Sequence, residues 1–86
     1  MSKLDVWTVS IMFGSEHGMT RADAFLQGPA VEVQCSGWAD PEPRTPALSA
    51  LGEDIAAARA LEVLSRRLVD RADQSRARFG SKEDGV

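Results

Sequence analysis

The chain has 86 residues, of which 43% are apolar and 27% charged, and this is the size and composition of one globular domain. Its formal net charge is −3, which disfavours a general binder of nucleic acid or of anionic membranes because both partners are polyanions. We therefore expect one domain over residues 1–80, followed by a disordered tail at 81–86.

Residues that carry chemistry are scarce. Cys35 is the only cysteine and His17 the only histidine, so the sequence predicts neither an internal disulfide nor a zinc site. The first residues have no apolar run of signal-peptide length, and no stretch approaches the ~18 apolar residues of a membrane span. We expect a reduced, cytoplasmic protein with no cofactor, no bound metal and no membrane contact.

Three segments predict β-strands because apolar residues occupy every second position. They are residues 4–13, 20–27 and 31–36. A polar segment with glycine at both ends, residues 14–18, predicts a loop after the first strand, and a Gly-Pro pair predicts a turn after the second. Short strands with short connections predict an antiparallel meander.

A single long helix is predicted to follow the sheet. Residues 38–45 contain two prolines and predict a crossing loop. The helix is predicted from Ser49 to Phe79 with Gly80 as its stop, and Pro46 marks an alternative start. Its apolar residues form one stripe at helical spacing: Leu51, Ile55, Ala58, Leu61, Leu64 or Ser65, and Leu68. A helix of thirty residues is roughly 45 Å long and a strand of eight about 27 Å, so the helix must extend beyond the sheet.

The predicted fold is therefore α+β, with one helix packed on one face of a three-stranded antiparallel sheet. We expect the helix to lie across the side of the sheet that carries one alternating set: Trp7, Val9, Ile11, Phe13, Ala22, Ala24, Leu26, Val31, Val33 and Cys35. The large members lie on the first strand and the small ones on the second. The alanines of the helix are also small, which allows a close approach between helix and sheet.

Two aromatic or acid–base features have competing interpretations. His17 beside Glu16 is either an acid–base pair or part of an exposed loop, and we favour the loop. Trp38 is either an exposed recognition residue or a lid on the end of the core, and we favour the lid. No set of residues predicts a catalytic site, so we do not expect an enzyme.

The second half of the helix is basic, and five of its arginines are candidates for contacts with nucleic-acid phosphates: Arg66, Arg67, Arg71, Arg76 and Arg78. The alternative, which we favour, is a solvated helix face with ion pairs such as Glu62–Arg66 at i,i+4 spacing. Arg67 and Arg71 do not fit that alternative, because like charges four residues apart oppose the helix unless something anionic lies near them.

Segments 7–9, 20–26 and 51–61, together with the Asp40-Pro41 step, resemble a small actinobacterial family of unknown function. The resemblance covers residues 5–72 and implies a fold like the double-stranded-RNA-binding domain without its N-terminal helix. It does not imply RNA binding, because fold does not determine function. The basic residues that such domains place at the helix start are replaced here by Glu53 and Asp54.

The leading functional hypothesis is a non-enzymatic interaction or structural domain that self-associates as a homodimer. It rests on the helix overhang and on the two edges of a three-stranded sheet, which need protection from unwanted pairing. The alternative is a weak nucleic-acid-binding module that uses the five arginines. No small-molecule substrate is indicated.

Overall fold

The computed structural model describes residues 5–40 and 46–84. The elements in chain order are β1 (Thr8–Glu16), β2 (Met19–Gly28), β3 (Val31–Ala39) and α1 (Pro46–Asp84). The three strands form one antiparallel sheet in the order β1-β2-β3. The predicted α+β class, with a three-stranded meander followed by one long helix, is confirmed.

The connection between β1 and β2 is tighter than the sequence predicts. The strands pair as far as Glu16 and Met19, so only His17 and Gly18 form the turn and the predicted loop at 14–18 is wrong. Both turn residues have positive φ, 53° and 74°. This is the backbone of a type I′ turn, whose twist matches that of the flanking strands. Glycine adopts the second position without strain.

The helix is longer than predicted at both ends. It begins at Pro46, the alternative start, because the fixed φ of proline suits the first helical position. The preference for Ser49 was therefore wrong. Gly80 does not end the helix either, since α1 includes residues 81–84, where we expected a disordered tail. The first turn contains no acidic residue.

The strand register places the predicted side chains on one face of the sheet. Val9 lies opposite Leu26 and Ile11 opposite Ala24, and Ala24 in turn lies opposite Cys35 on β3. Directly opposed residues share a face, so the alternating set chosen from the sequence does lie on the helix side of the sheet.

The helix, however, covers only two of the three strands. It packs on β3 and β2, and the buried core belongs to these strands and to α1: Ala22, Ala24, Leu26, Val31, Cys35, Ala39, Ala56, Ala60 and Leu64. Trp7, Val9 and Phe13 remain 50%, 43% and 46% exposed, and Ile11 is half-buried. The expectation that the helix covers the first strand was wrong.

The helix lies over β2 and β3 because small residues there let the backbones approach. A Cβ atom on Gly37 would collide with the Ala56 carbonyl oxygen and the Ala60 nitrogen, so the helix backbone rests directly on the strand. Beside this contact, the Cys35 thiol lies 3.7 Å from the Ala60 carbonyl oxygen and donates to it. Strand β3 extends to Ala39 to reach this position, beyond the predicted end at residue 36.

Because of this close approach, the side of the helix that faces the sheet differs from the side that carries the predicted stripe. The residues that face the sheet form a ridge at i+4 spacing, Gly52, Ala56, Ala60 and Leu64, with Leu68 half-buried beyond them. Four members of the predicted stripe are exposed instead, and none of their side chains is smaller than alanine: Leu51, Ile55, Ala58 and Leu61. Leucine would hold the helix farther from the sheet than alanine or glycine does, so the small residues take the contact.

The predicted overhang is confirmed. Every side chain described between residues 69 and 78 is exposed, and the longest dimension of the molecule is 60 Å. At ~1.5 Å per residue, the 39 residues of α1 account for nearly all of it.

Candidate interaction surfaces

Three arginines of α1 bind the backbone of the outer edge of the sheet. Arg59 donates to the Trp38 carbonyl at 2.6 Å, and Arg67 donates to the Gln34 carbonyl at 2.9 Å. Arg71 donates to the carbonyl of Ala30 at 2.8 Å. We call Arg59, Arg67 and Arg71 the arginine row.

The Gln34 and Trp38 carbonyls that accept two of these bonds point away from the sheet, and Ala30 lies in the turn that precedes β3. A two-residue turn joins β2 to β3, with Gly28 opposite Val31. In such hairpins the residues that flank the turn form a hydrogen-bonded pair, so the even-numbered residues of β3 direct their backbone groups outward. The arginine row thus satisfies edge carbonyls that would otherwise accept bonds from another strand, and it blocks that edge.

The five arginines proposed for nucleic-acid contact do not act as one group. Arg67 and Arg71 bind the β3 edge, and these carbonyl oxygens supply the negative partner that two like charges at i,i+4 require. Arg66 pairs with Glu62 at 3.7 Å. Arg76 pairs with an acid three residues earlier on the helix at 3.8 Å, and Arg78 is exposed.

The position of α1 also changes the argument about its acidic residues. Because the helix begins at Pro46, Glu53 and Asp54 lie beyond its first turn. They therefore do not form an acidic helix start. Sequence reasoning also missed the role of Arg59, which was not among the five candidate arginines. Its acceptor lies 21 residues away in the sequence, so no local signal identifies it.

The face of the sheet opposite the helix carries a polar cluster around Arg21. Its guanidinium lies 3.3 Å from Glu16 and 3.1 Å from Asp23, and 5.7 Å from the centroid of the Trp38 ring. Asp23 also accepts a hydrogen bond of 2.7 Å from Ser36. Trp38 lies on this face because it is opposite Arg21 in the register. The prediction that Trp38 closes the end of the core was wrong.

The residues considered for catalysis lie apart from one another. His17 is exposed in the β1–β2 turn, and the neighbouring Glu16 carboxylate binds Arg21. Cys35 is buried beneath α1, in agreement with its predicted place in the core. Among residues 5–40 and 46–84, no three His, Cys, Asp or Glu side chains are grouped as metal ligands.

An exposed apolar feature among the described residues is the part of the sheet that α1 leaves open. We call the side chains of Trp7, Val9, Ile11 and Phe13 the uncovered face. Trp7 lies across Gly28, where an added Cβ would collide with the indole ring and lie 2.8 Å from a methyl carbon of Val31. None of the four side chains is ionisable.

A flank of the helix continues this apolar surface. Leu61 and Leu68 lie about half a turn around α1 from Arg59, and Arg59 reaches toward β3, so the two leucines lie on the flank toward β1. They contribute to a shallow, almost wholly apolar hollow, whose lining is Leu61, Leu64, Ser65, Leu68, Val69 and Ala72.

The backbone of β1 forms the second edge of the sheet. Glu16 and Met19 flank the two-residue turn and form a hydrogen-bonded pair. The odd-numbered residues Val9, Ile11 and Phe13 therefore direct their N–H and C=O groups outward. Between Thr8 and Ser15 the strand contains no lysine, arginine or proline, which are the residues that commonly protect an edge.

Comparison with known proteins identifies the family. The model of the Rv2632c-like family matches residues 5–83, nearly the whole chain, and the chain belongs to this family. No curated protein matches it. The family description names no activity. Among the described residues, no helix is both long enough and apolar enough to cross a membrane.

Proposed function

We propose that this member of the Rv2632c-like family is a non-enzymatic interaction or structural domain that self-associates as a homodimer. The observation that carries the proposal is the uncovered face. Trp7, Val9 and Phe13 are large apolar side chains that are each about half exposed, although they share their side of the sheet with the buried core. Adjacent exposed apolar side chains of this kind mark interaction surfaces.

The chemistry of the uncovered face favours a second copy of the chain as its partner. Most homodimers have two-fold symmetry, which brings the same patch of both subunits together. A charged patch would repel its own copy, whereas none of the four side chains of the uncovered face is ionisable. Burial of apolar surface contributes about 25 cal/mol per Å² to such an association.

Light scattering during gel filtration at micromolar concentration tests the proposal. We expect about twice the 9.3 kDa mass of one chain. Val9→Glu places a charge in the uncovered face and should give a monomer. Leu51→Glu is the matched control, because Leu51 is similarly exposed, at 51%, on the side of α1 away from the sheet, and this variant should remain dimeric.

A strict monomer for the unaltered chain would end the proposal. Equal loss of the dimer in both variants would also count against it, because the association would then not depend on the uncovered face. Circular dichroism of each variant separates a lost interface from a lost fold.

Weak nucleic-acid binding through Arg66, Arg67, Arg71, Arg76 and Arg78 is the alternative proposal. It has less support because Arg67 and Arg71 already bind backbone carbonyls, and a phosphate would have to displace them. A mobility shift at low salt that disappears in Arg76→Glu/Arg78→Glu would support it, since phosphate contacts are strongly salt-dependent. No shift at low salt would dispose of it.

The resemblance noted in the sequence also implies a source and a fold relationship for this chain, and the sequence itself implies a cellular location. We propose an actinobacterial source, a cytoplasmic location without cofactor or membrane contact, and kinship with the double-stranded-RNA-binding fold. The β-β-β-α order supports the kinship. The arginine row argues against carrying RNA binding over with the fold, because Arg67 and Arg71 already bind backbone carbonyls.

A further inference from the structure

We infer that β1 pairs antiparallel with β1 of a second copy, so that the dimer contains one continuous six-stranded sheet. The inference rests on the proposed self-association and specifies its geometry. It is carried by the difference between the two edges of the sheet and by the direction of the β1 backbone groups.

The two edges are not equally available for pairing. The β3 edge is blocked by Arg59 and Arg67, which bind the carbonyls of Trp38 and Gln34. Arg71 binds the carbonyl of Ala30 in the turn just before the strand. An added strand would have to break these charge-assisted bonds. The β1 edge has no charged side chain or proline of its own from Thr8 to Ser15. Strand addition is therefore directed to β1.

The backbone of β1 determines which residues would meet. Val9, Ile11 and Phe13 direct their backbone groups outward, and their side chains form most of the uncovered face. In an antiparallel pair, outward-directed residues of one strand lie opposite outward-directed residues of the other. Their side chains then lie on the same side of the sheet. Every such register brings the two uncovered faces side by side.

This arrangement also fixes the position of the helices. Both copies of α1 lie on the same side of the combined sheet, because that is the side of the uncovered face. The flanks that carry Leu61 and Leu68 then border the joined β1 side chains from both sides. On the opposite side of the sheet, Met12 of one copy lies close to Met12 of the other.

Two central registers satisfy these conditions. Either Ile11 lies opposite its own copy, or Met12 does. In the second register the two Met12 residues are directly opposed, and in the first they are diagonal neighbours at about 7–8 Å. A cross-linker of that reach therefore joins two residues at position 12 in either register.

The test is cross-linking of single cysteines in a Cys35→Ser background with a short bis-maleimide. Met12 is 64% exposed, so Met12→Cys should preserve the fold, and we expect most of the protein to form a covalent dimer. Glu32→Cys is the matched control on the exposed side of β3. In the six-stranded sheet the two β3 strands are five spacings apart, about 24 Å, so Glu32→Cys should stay uncross-linked.

The outcomes distinguish a failure of the β1 strand pairing from a failure of the proposed self-association. A dimer by light scattering in which Met12→Cys fails to cross-link overturns the strand pairing and leaves self-association intact. Face-to-face packing gives that result, because the two Met12 side chains then lie on opposite outer surfaces. Efficient cross-linking of Glu32→Cys instead places the interface at β3 and also overturns the inference. A strict monomer overturns both.

Discussion

The two halves of the sheet differ in what covers them. The helix side of β2 and β3 is buried under α1, whereas the same side of β1 is open. Both halves alternate between apolar and polar residues, and the register aligns their faces. The difference is size, since Ala22, Ala24 and Gly37 lie in the covered half and Trp7 and Phe13 in the open half. The helix packs where backbones can approach, and the bulkier half remains available to another molecule.

A large loss of stability is expected at the closest contact of the covered half. Gly37→Ala places a methyl group against the Ala56 carbonyl and the Ala60 nitrogen. We expect the free energy of unfolding to fall by about 3 kcal/mol, because neither backbone can move without displacing the helix. Urea denaturation measures it.

Gly14→Ala is the control for this prediction. Gly14 lies on β1 with nothing within 4 Å of an added Cβ, so its substitution should change stability by less than about 0.5 kcal/mol. Similar losses at the two positions would mean that α1 does not rest on β3 at Gly37.

A second pair of substitutions compares directly opposed residues. Leu26 is 2% exposed and lies opposite Val9, which is 43% exposed. Leu26→Ala should cost about 2–4 kcal/mol of stability because it leaves a cavity under the helix. In dilute protein, Val9→Ala should cost less than about 1 kcal/mol because the removed methyl groups are already partly in water.

The same pair responds to protein concentration. The denaturation midpoint of the unaltered chain should rise with concentration, because association stabilises the folded state. Val9→Ala should reduce that rise, and Leu26→Ala should retain it. If the cost of Val9→Ala in dilute protein equals that of Leu26→Ala, then α1 covers β1 in solution.

The smallest effect is expected at the protected edge. Arg67→Ala removes the bond to the Gln34 carbonyl and should lower stability by about 1 kcal/mol. Arg66→Ala removes only an exposed pair with Glu62 and should change stability by about 0.3–0.5 kcal/mol or less. Equal changes in the denaturation midpoint of Arg67→Ala and Arg66→Ala would contradict the claim that the arginine row stabilises the β3 edge.

Local patterns predicted much of this fold but not the position of the helix. Alternation identified the strands and placed Val9, Leu26 and Cys35 on one face, since period 2 is a property of each strand alone. Helical spacing could not predict which strands lie beneath α1. Apolar residues occur on several sides of that helix. Leu51 is more hydrophobic than Ala56, yet Ala56 is the residue that packs against the sheet. That choice depends on Gly37, a residue from another element.

The candidate surfaces were predictable to a smaller extent. The like charges of Arg67 and Arg71 were a usable signal, because their spacing requires a negative partner and the structure supplies one. Trp38 was misplaced because the prediction ended β3 at residue 36, and this removed the period-2 argument that assigns Trp38 to the outer face. The uncovered face itself follows only from the tertiary packing.

Amide hydrogen exchange along β1, measured residue by residue at low and high protein concentration, tests the central claim most directly. Ser10 and Met12 bond to β2 in the monomer, so their amides should be protected at both concentrations. The amides of Val9, Ile11 and Phe13 point to the open edge. We predict rapid exchange for them in dilute protein and strong protection in concentrated protein. Rapid exchange of these three amides at every concentration would contradict the claim that a second copy completes this edge.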